Sequence, residues 1–170
     1  DTGEQVVPAT AIEGAWTLAL SPDSRRMVLG DGVGARLYEL PSGREVAKLE
    51  QRDPSNQFAF SEDSRWLAAG GGRGEVRVWS AADGLPVTEL LPHSYFVGSV
   101  AFSPDDTLLT VDRERAMILW DVATGRERRR REGEFYWYAQ FSSDGKRIVA
   151  SVGNEARIYD AVTLEPFGER

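Results

Sequence analysis

A six-residue motif returns four times along this chain of 170 residues, at a nearly constant interval. It reads Leu18-Ala19-Leu20-Ser21-Pro22-Asp23, then Phe58-Ala59-Phe60-Ser61-Glu62-Asp63, then Val100-Ala101-Phe102-Ser103-Pro104-Asp105, then Ala139-Gln140-Phe141-Ser142-Ser143-Asp144. The serines step by 40, 42 and 39 residues. A second anchor trails each copy, an alternating segment closed by an aromatic residue: Ala35-Arg36-Leu37-Tyr38, Val76-Arg77-Val78-Trp79, Met117-Ile118-Leu119-Trp120 and Ala156-Arg157-Ile158-Tyr159. A third anchor, Ser42-Gly43-Arg44, Asp83-Gly84-Leu85 and Thr124-Gly125-Arg126, closes three copies, and Thr163-Leu164-Glu165 stands there in the fourth without glycine. Self-similarity at a fixed period is the mark of stacked units, each unable to bury its apolar face alone.

Each copy divides into four short strands separated by turn residues. In the third they fall near Phe96–Phe102, Thr107–Val111, Arg115–Trp120 and Arg126–Glu132. Between them lie Pro104-Asp105-Asp106, Asp112-Arg113-Glu114 and Ala123-Thr124-Gly125, which carry the side chains and backbone freedom that turns require. No segment sustains a helical period. The fold class is therefore all-β, and a period of about 40 residues selects β-propeller blades of four antiparallel strands over a sandwich or simple barrel.

The stretch from Val100-Ala101-Phe102-Ser103-Pro104-Asp105 to Ile118-Leu119-Trp120-Asp121 closely resembles a WD repeat, and the likeness extends over nearly the whole chain. Only the third copy keeps the Trp-Asp pair; the others read Tyr38-Glu39, Trp79-Ser80 and Tyr159-Asp160. The expected organisation is one propeller unit over residues 1–170. Residues 1–10 are the outer strand of a preceding blade, and the four blades are residues 11–50, 51–92, 93–133 and 134–170, with Thr163–Arg170 as the outer strand of the last. Rings of this family usually hold about seven blades within a range of four to eight. Four blades thus suit part of a larger propeller, or half of an eight-bladed ring made by two chains. A closed four-bladed ring ranks last. The resemblance also implies a hydrogen-bonded network of His93, Thr110, Glu114 and Trp120 in the third blade, with Glu114 standing where the family has aspartate. The other three repeats lack the histidine and are expected to hold by packing alone.

Composition narrows the chemistry. Cysteine is absent and His93 is the only histidine, so a disulfide framework, a thiolate site or a His-rich metal centre has no ligands, and no cofactor or metal is expected. A net charge of −7 argues against a nucleic-acid partner, because a polyanion needs a positive face. No segment approaches the ~18 apolar residues of a membrane span, no basic-then-apolar leader is visible, and a cytoplasmic location is expected. Among 20 basic residues only Lys48 and Lys146 are lysine, a bias that points to a bacterial source. No P-loop, H-E-x-x-H or G-x-S-x-G motif is present, so a catalytic role is not expected.

Other segments admit a functional and a plainer account. Gly30-Asp31-Gly32-Val33-Gly34-Ala35 matches a dinucleotide fingerprint formally, but a short strand stopped by Pro41 follows in place of a helix. It reads as a flexible turn, as does Gly70-Gly71-Gly72-Arg73-Gly74. Arg126-Glu127-Arg128-Arg129-Arg130-Arg131 falls on an outermost strand. Arg128 and Arg130 there offer a rim patch for an acidic partner, though a charged edge that resists strand-to-strand aggregation is the simpler account. In Phe135-Tyr136-Trp137-Tyr138, strand alternation puts Trp137 on the packing face with Ala139 and Phe141 and turns Tyr136 and Tyr138 outward. Trp137 would fill the gap beside Gly98, so a Gly98→Leu change is expected to destabilise the chain.

The resemblance implies partner binding on the top face, at the entry to each innermost strand and in the turn before the third. Those positions carry Phe96, Phe135, Arg113, Arg52 and Asp31, with Tyr136 beside them. The expected function is a non-catalytic protein-interaction scaffold or sensor module of a larger WD-repeat protein, with a protein or peptide partner. The alternatives are a structural half-propeller that closes as a homodimer and, with less support, a propeller hydrolase, which would need acid or histidine clusters on innermost strands.

Overall fold

The computed structural model describes residues 15–31, 33–50, 55–89 and 93–168. The expected outer strand at residues 1–10 lies outside them. All the regular structure described is strand, in four antiparallel meanders. Blade 1 holds β1 (Thr17–Leu20), β2 (Arg26–Gly30), β3 (Ala35–Glu39) and β4 (Glu45–Leu49). Blade 2 holds β5 (Ser55–Phe60), β6 (Trp66–Gly71), β7 (Val76–Ser80) and β8 (Pro86–Glu89). Blade 3 holds β9 (Val97–Phe102), β10 (Thr107–Asp112), β11 (Ala116–Asp121) and β12 (Arg126–Glu132). Blade 4 has three strands, β13 (Tyr136–Phe141), β14 (Arg147–Val152) and β15 (Glu155–Asp160). The outer strand expected over Thr163–Arg170 is reduced there to a single bridge between Tyr159 and Pro166. Among the described residues the sheets stand in a row and do not close into a ring.

The turn that opens each blade explains why its motif recurs. The Ser21 hydroxyl donates to Asp23 at 2.6 Å and accepts the Arg26 N–H at 2.9 Å, closing the hairpin with side-chain bonds. Ser61 with Asp63 and Ser142 with Asp144 repeat the contact at 2.8 and 2.6 Å, and Ser103 with Asp105 repeats it again. The residue directly after each aspartate turns left-handed: Ser24, Ser64, Asp106 and Gly145 have φ near 60, 61, 61 and 68°. Neighbouring turns touch, since the Asp23 N–H donates to the Ser64 hydroxyl at 3.1 Å and Arg65 reaches Asp106 at 2.6 Å.

Strand alternation sends successive side chains to opposite neighbours. Ala19, Val28 and Leu37 of blade 1 meet Phe58, Leu67, Ala69 and Trp79 of blade 2. Ala68 and Val78, one residue out of phase, turn the other way to meet Val100, Leu108, Ile118 and Trp120 of blade 3. Leu109, Met117 and Leu119 of blade 3 then meet Tyr136, Ala139, Ile148, Ala150 and Tyr159 of blade 4. Three apolar layers thus lie between four sheets, and the core is divided among the interfaces.

Alternation is broken once in the same place on three innermost strands. Register slips between Ser55 and Gln57, between Val97 and Ser99, and between Tyr136 and Tyr138. The bulged residues are Asn56, Gly98 and Trp137, one column of the repeat. A bulge inserts one unpaired residue and re-aims the side chains around it. The middle bulge needs glycine for space, because a Cβ on Gly98 would sit 2.8 Å from the Trp137 carbonyl oxygen. The expectation that Gly98 tolerates no side chain therefore rests on a backbone contact and not on the indole. Gly70 likewise belongs to β6, where a Cβ would meet Val97 at 2.6 Å. Close approach of blades 2 and 3, in place of turn flexibility, accounts for it.

Candidate functional site

The bulge at Trp137 shapes the edge between blades 3 and 4. Tyr136, expected to face solvent, is 0% exposed, and Trp137, expected to be buried, is 45% exposed. The extra residue shifts the phase of the strand at its entry, so simple alternation assigned both backwards. Trp137 lies beside Arg113, the turn residue between β10 and β11. The Arg113 guanidinium carbon is 4.9 Å from the indole ring and 4.4 Å from the Phe96 ring. Phe135 joins edge-on, its centroid 4.9 Å from that of Trp137 with planes at 71°. The result is a continuous stack of Phe96, Arg113, Trp137 and Phe135, with Phe135 and Trp137 open to solvent. The Arg113 N–H donates to the Phe96 carbonyl at 3.1 Å and fixes the turn against the strand entry.

Of the positions expected on the top face, then, Phe96, Arg113 and Phe135 come together and Tyr136 leaves the surface. Asp31 sits apart, on blade 1, where its carboxylate accepts the N–H groups of Val33 at 3.0 Å and Gly34 at 2.9 Å. Those bonds hold its carboxyl below the usual carboxylate range and commit it to its own loop. Arg52 lies outside the described residues.

Beneath the stack, His93 is buried and tied on both ring nitrogens. Nδ1 lies 2.8 Å from an Asp112 carboxylate oxygen and Nε2 lies 2.6 Å from the Thr110 hydroxyl, which accepts the Trp120 indole N–H at 2.7 Å. The acidic member is Asp112 and not Glu114, which correction follows from strand geometry. Thr110 and Asp112 are two apart on β10 and share a face, whereas Glu114 lies in the following turn and is exposed. Burial pushes the Asp112 carboxyl up, but the His93 ring and the N–H groups of Ala116 and Glu114 outweigh it and hold the group below its ordinary value.

Blade 4 answers the same need with other residues, contrary to the expectation of packing alone. Glu134 accepts the hydroxyls of Tyr159 at 2.6 Å and Tyr136 at 2.9 Å, and pairs with Arg157 and, at 3.5 Å, with Arg131 of blade 3. Burial and the Glu134 carboxylate push Tyr159 up to about 12 and Tyr136 further up. Tyr159 occupies the Trp120 column, so the aromatic anchor of the repeat again carries the polar pin.

Residues 43–80 and 84–121 match the family described as WD domain, G-beta repeat. These two segments are WD repeats. It is 25% identical over 133 residues to WD repeat and SOCS box-containing protein 1 of Homo sapiens, covering 74% of this chain and 32% of that protein. Protein tipD of Dictyostelium discoideum is 27% identical over 137 residues, covering 79% of this chain and 22% of tipD. An uncharacterized WD repeat-containing protein of Synechocystis is 32% identical over 113 residues, covering 64% of this chain and 32% of that protein. The WD-repeat chain spans about a third or less of each of these relatives.

The matched segments begin on an outer strand and end on the third strand of the following blade. In the WD-repeat chain each such unit straddles two blades: β4 with β5–β7, then β8 with β9–β11. At the rim, the arginine row of β12 is largely neutralised in place. Arg128 bonds Asp121 at 2.7 Å and Thr107 at 2.7 Å, and Arg130 bonds Glu127 at 2.8 Å and Glu132 at 3.3 Å. The Arg128 bond, followed by those from Thr124, holds Asp121 down to about 2. Arg128 is also the bulged residue of its strand, since Leu119 pairs with Arg129 and Trp120 with Glu127. Charges spent on neighbours make a weak patch for a partner, and the protected-edge account fits the geometry better.

Proposed function

We propose that the WD-repeat chain is a non-catalytic interaction scaffold or sensor module of the cytoplasm, receiving a protein or peptide partner where blades 3 and 4 meet. The observation that carries this is the stack of Phe96, Arg113, Trp137 and Phe135. Aromatic and arginine side chains dominate interface energetics, and here contact fixes them before any partner arrives. The two WD repeats support interaction as the general role. The test is retention from a lysate of the source cells. Wild-type chain should hold a discrete partner and crosslink to it through p-benzoylphenylalanine at position 135. A Phe135→Ala/Trp137→Ala variant should lose that partner by roughly tenfold or more, as for a hot-spot pair. Undiminished retention by the variant would move the site elsewhere.

A second role, self-assembly into a two-chain ring, is favoured by the end faces. Blade 1 turns Trp16, Leu18 (62% exposed) and Leu20 outward, and blade 4 turns Tyr138, Val149 and Ile158 (41% exposed) outward. The columns match the inner interfaces: Leu18 and Leu20 stand where Phe58 and Phe60 meet blade 1, and Val149 and Ile158 stand where Leu109 and Leu119 meet blade 4. The end of one row therefore has the pattern that receives the start of another, and a second copy is the occupant proposed. A solution mass of twice 18.8 kDa supports it, and a stable monomer rejects it.

A further inference from the structure

Resting on the blade 3–blade 4 edge as the partner site, one group there fixes the partner's chemistry. Several arginines of blades 3 and 4 are spent: Arg128, Arg130, Arg131 and Arg157 each pair with a carboxylate. Arg113 differs. Its guanidinium lies between two aromatic rings, its Nε is buried without a hydrogen-bond partner, and no carboxylate among the described residues pairs with it. A buried donor left unmet is costly, and flanking rings supply attraction to the cation's face but no acceptor at its edge. The side chain is only half-buried, so with Nε enclosed the terminal nitrogens form the edge open to a ligand. A planar fork with free N–H groups matches a carboxylate, and an ion pair seated between rings is stronger than one in open water. Beside it, exposed Phe135 and Trp137 offer apolar surface.

We infer that Arg113 reads the carboxylate of an aspartate or glutamate side chain in the partner, with an apolar residue next to that acid seated on Phe135 and Trp137. The net charge of −7 gives an acidic partner no long-range attraction, so recognition is a contact effect of this one cation.

The test titrates the full ¹⁵N-labelled chain with acetyl-Leu-Glu-Leu-amide and with its neutral isostere acetyl-Leu-Gln-Leu-amide. The Arg113 Nε–H and Trp137 indole N–H resonances report binding. The glutamate peptide should shift both and bind about fivefold or more tightly than the glutamine peptide. Arg113→Met, which keeps the aliphatic stem and removes the charge, should abolish that difference. Arg113→Lys should keep part of it, and guards against a Met variant that folds poorly. Equal binding of the two peptides overturns the carboxylate assignment while leaving the edge as a partner site. No shift with either also overturns it, and the crosslinking at position 135 then judges the edge separately. Preference for acetyl-Leu-Gln-Leu with a free C-terminus over the glutamate peptide overturns the assignment to a side chain.

Discussion

At the scale of single residues, the third blade turns on His93. Replacing it with alanine leaves Asp112 enclosed without its ring partner, and loss of one member of a buried pair costs about 3–5 kcal/mol. Glu114→Ala, by contrast, should change stability by no more than about 0.5 kcal/mol, because its side chain is exposed. Urea unfolding of both variants measures the difference, and comparable losses would restore Glu114 to the network. Gly98 makes a second case. A methyl group there must push the Trp137 backbone aside, so Gly98→Ala should cost about 1–3 kcal/mol by the same assay. Sequence legibility at this scale was uneven. His93, Thr110 and Trp120 could be named from the resemblance, whereas Asp112 could have been found only by counting strand parity from Thr110. Trp137 and Tyr136 were misassigned because nothing in their chemistry announces a bulge.

At the scale of elements, each opening turn is set by an aspartate whose carboxyl is held below the usual carboxylate range. The Ser21 hydroxyl does this to Asp23, Ser103 to Asp105 and Ser142 to Asp144, each with backbone N–H groups assisting. A carboxylate depressed in the folded chain contributes stability that is complete above the unfolded value near 4 and is lost as pH falls through the folded value. Asp112 has the same sign. Stability should therefore be level from about pH 5 to 8 and decline below about pH 4. A variant carrying Asp23→Asn and Asp144→Asn should decline less steeply, because asparagine keeps the acceptor and removes the titration. Urea midpoints at pH 3, 4 and 6 give the comparison; parallel slopes would assign the acid loss to other groups. The strands themselves were legible to within about a residue in the third blade, since alternation and turn chemistry are local signals. The fourth outer strand was not, and Leu164 shows the difference in its setting. It takes φ near 59° where the other copies have glycine, and is held there as part of the buried layer beneath Tyr159.

At the scale of the whole molecule, the offset between repeat and blade governs cohesion. Each matched segment gives its first strand to one sheet and three to the next, so the chain itself crosses every interface it builds. Stability should then be shared between neighbours, as in other stacked-repeat chains. The proposed association of two copies rests on the two outward faces. Leu18→Glu and Ile158→Glu sit at opposite ends of the row, and a ring of two copies uses both ends at each junction. Either change alone should thus convert a species of twice 18.8 kDa into monomer by light scattering, without altering the circular dichroism of the sheets. A mass that ignores both changes would mean that the end faces are not the contact.

The sequence by itself determined the all-β class, the four-blade count, the turn chemistry and the aromatic column, because each is encoded by spacing along the chain. Tertiary structure alone decided which aromatic of the fourth blade reaches solvent, and that Arg113 lies between two rings. Those outcomes depend on where register slips and how closely neighbouring sheets approach. Both are set by contacts between residues about 40 positions apart, which no local pattern records.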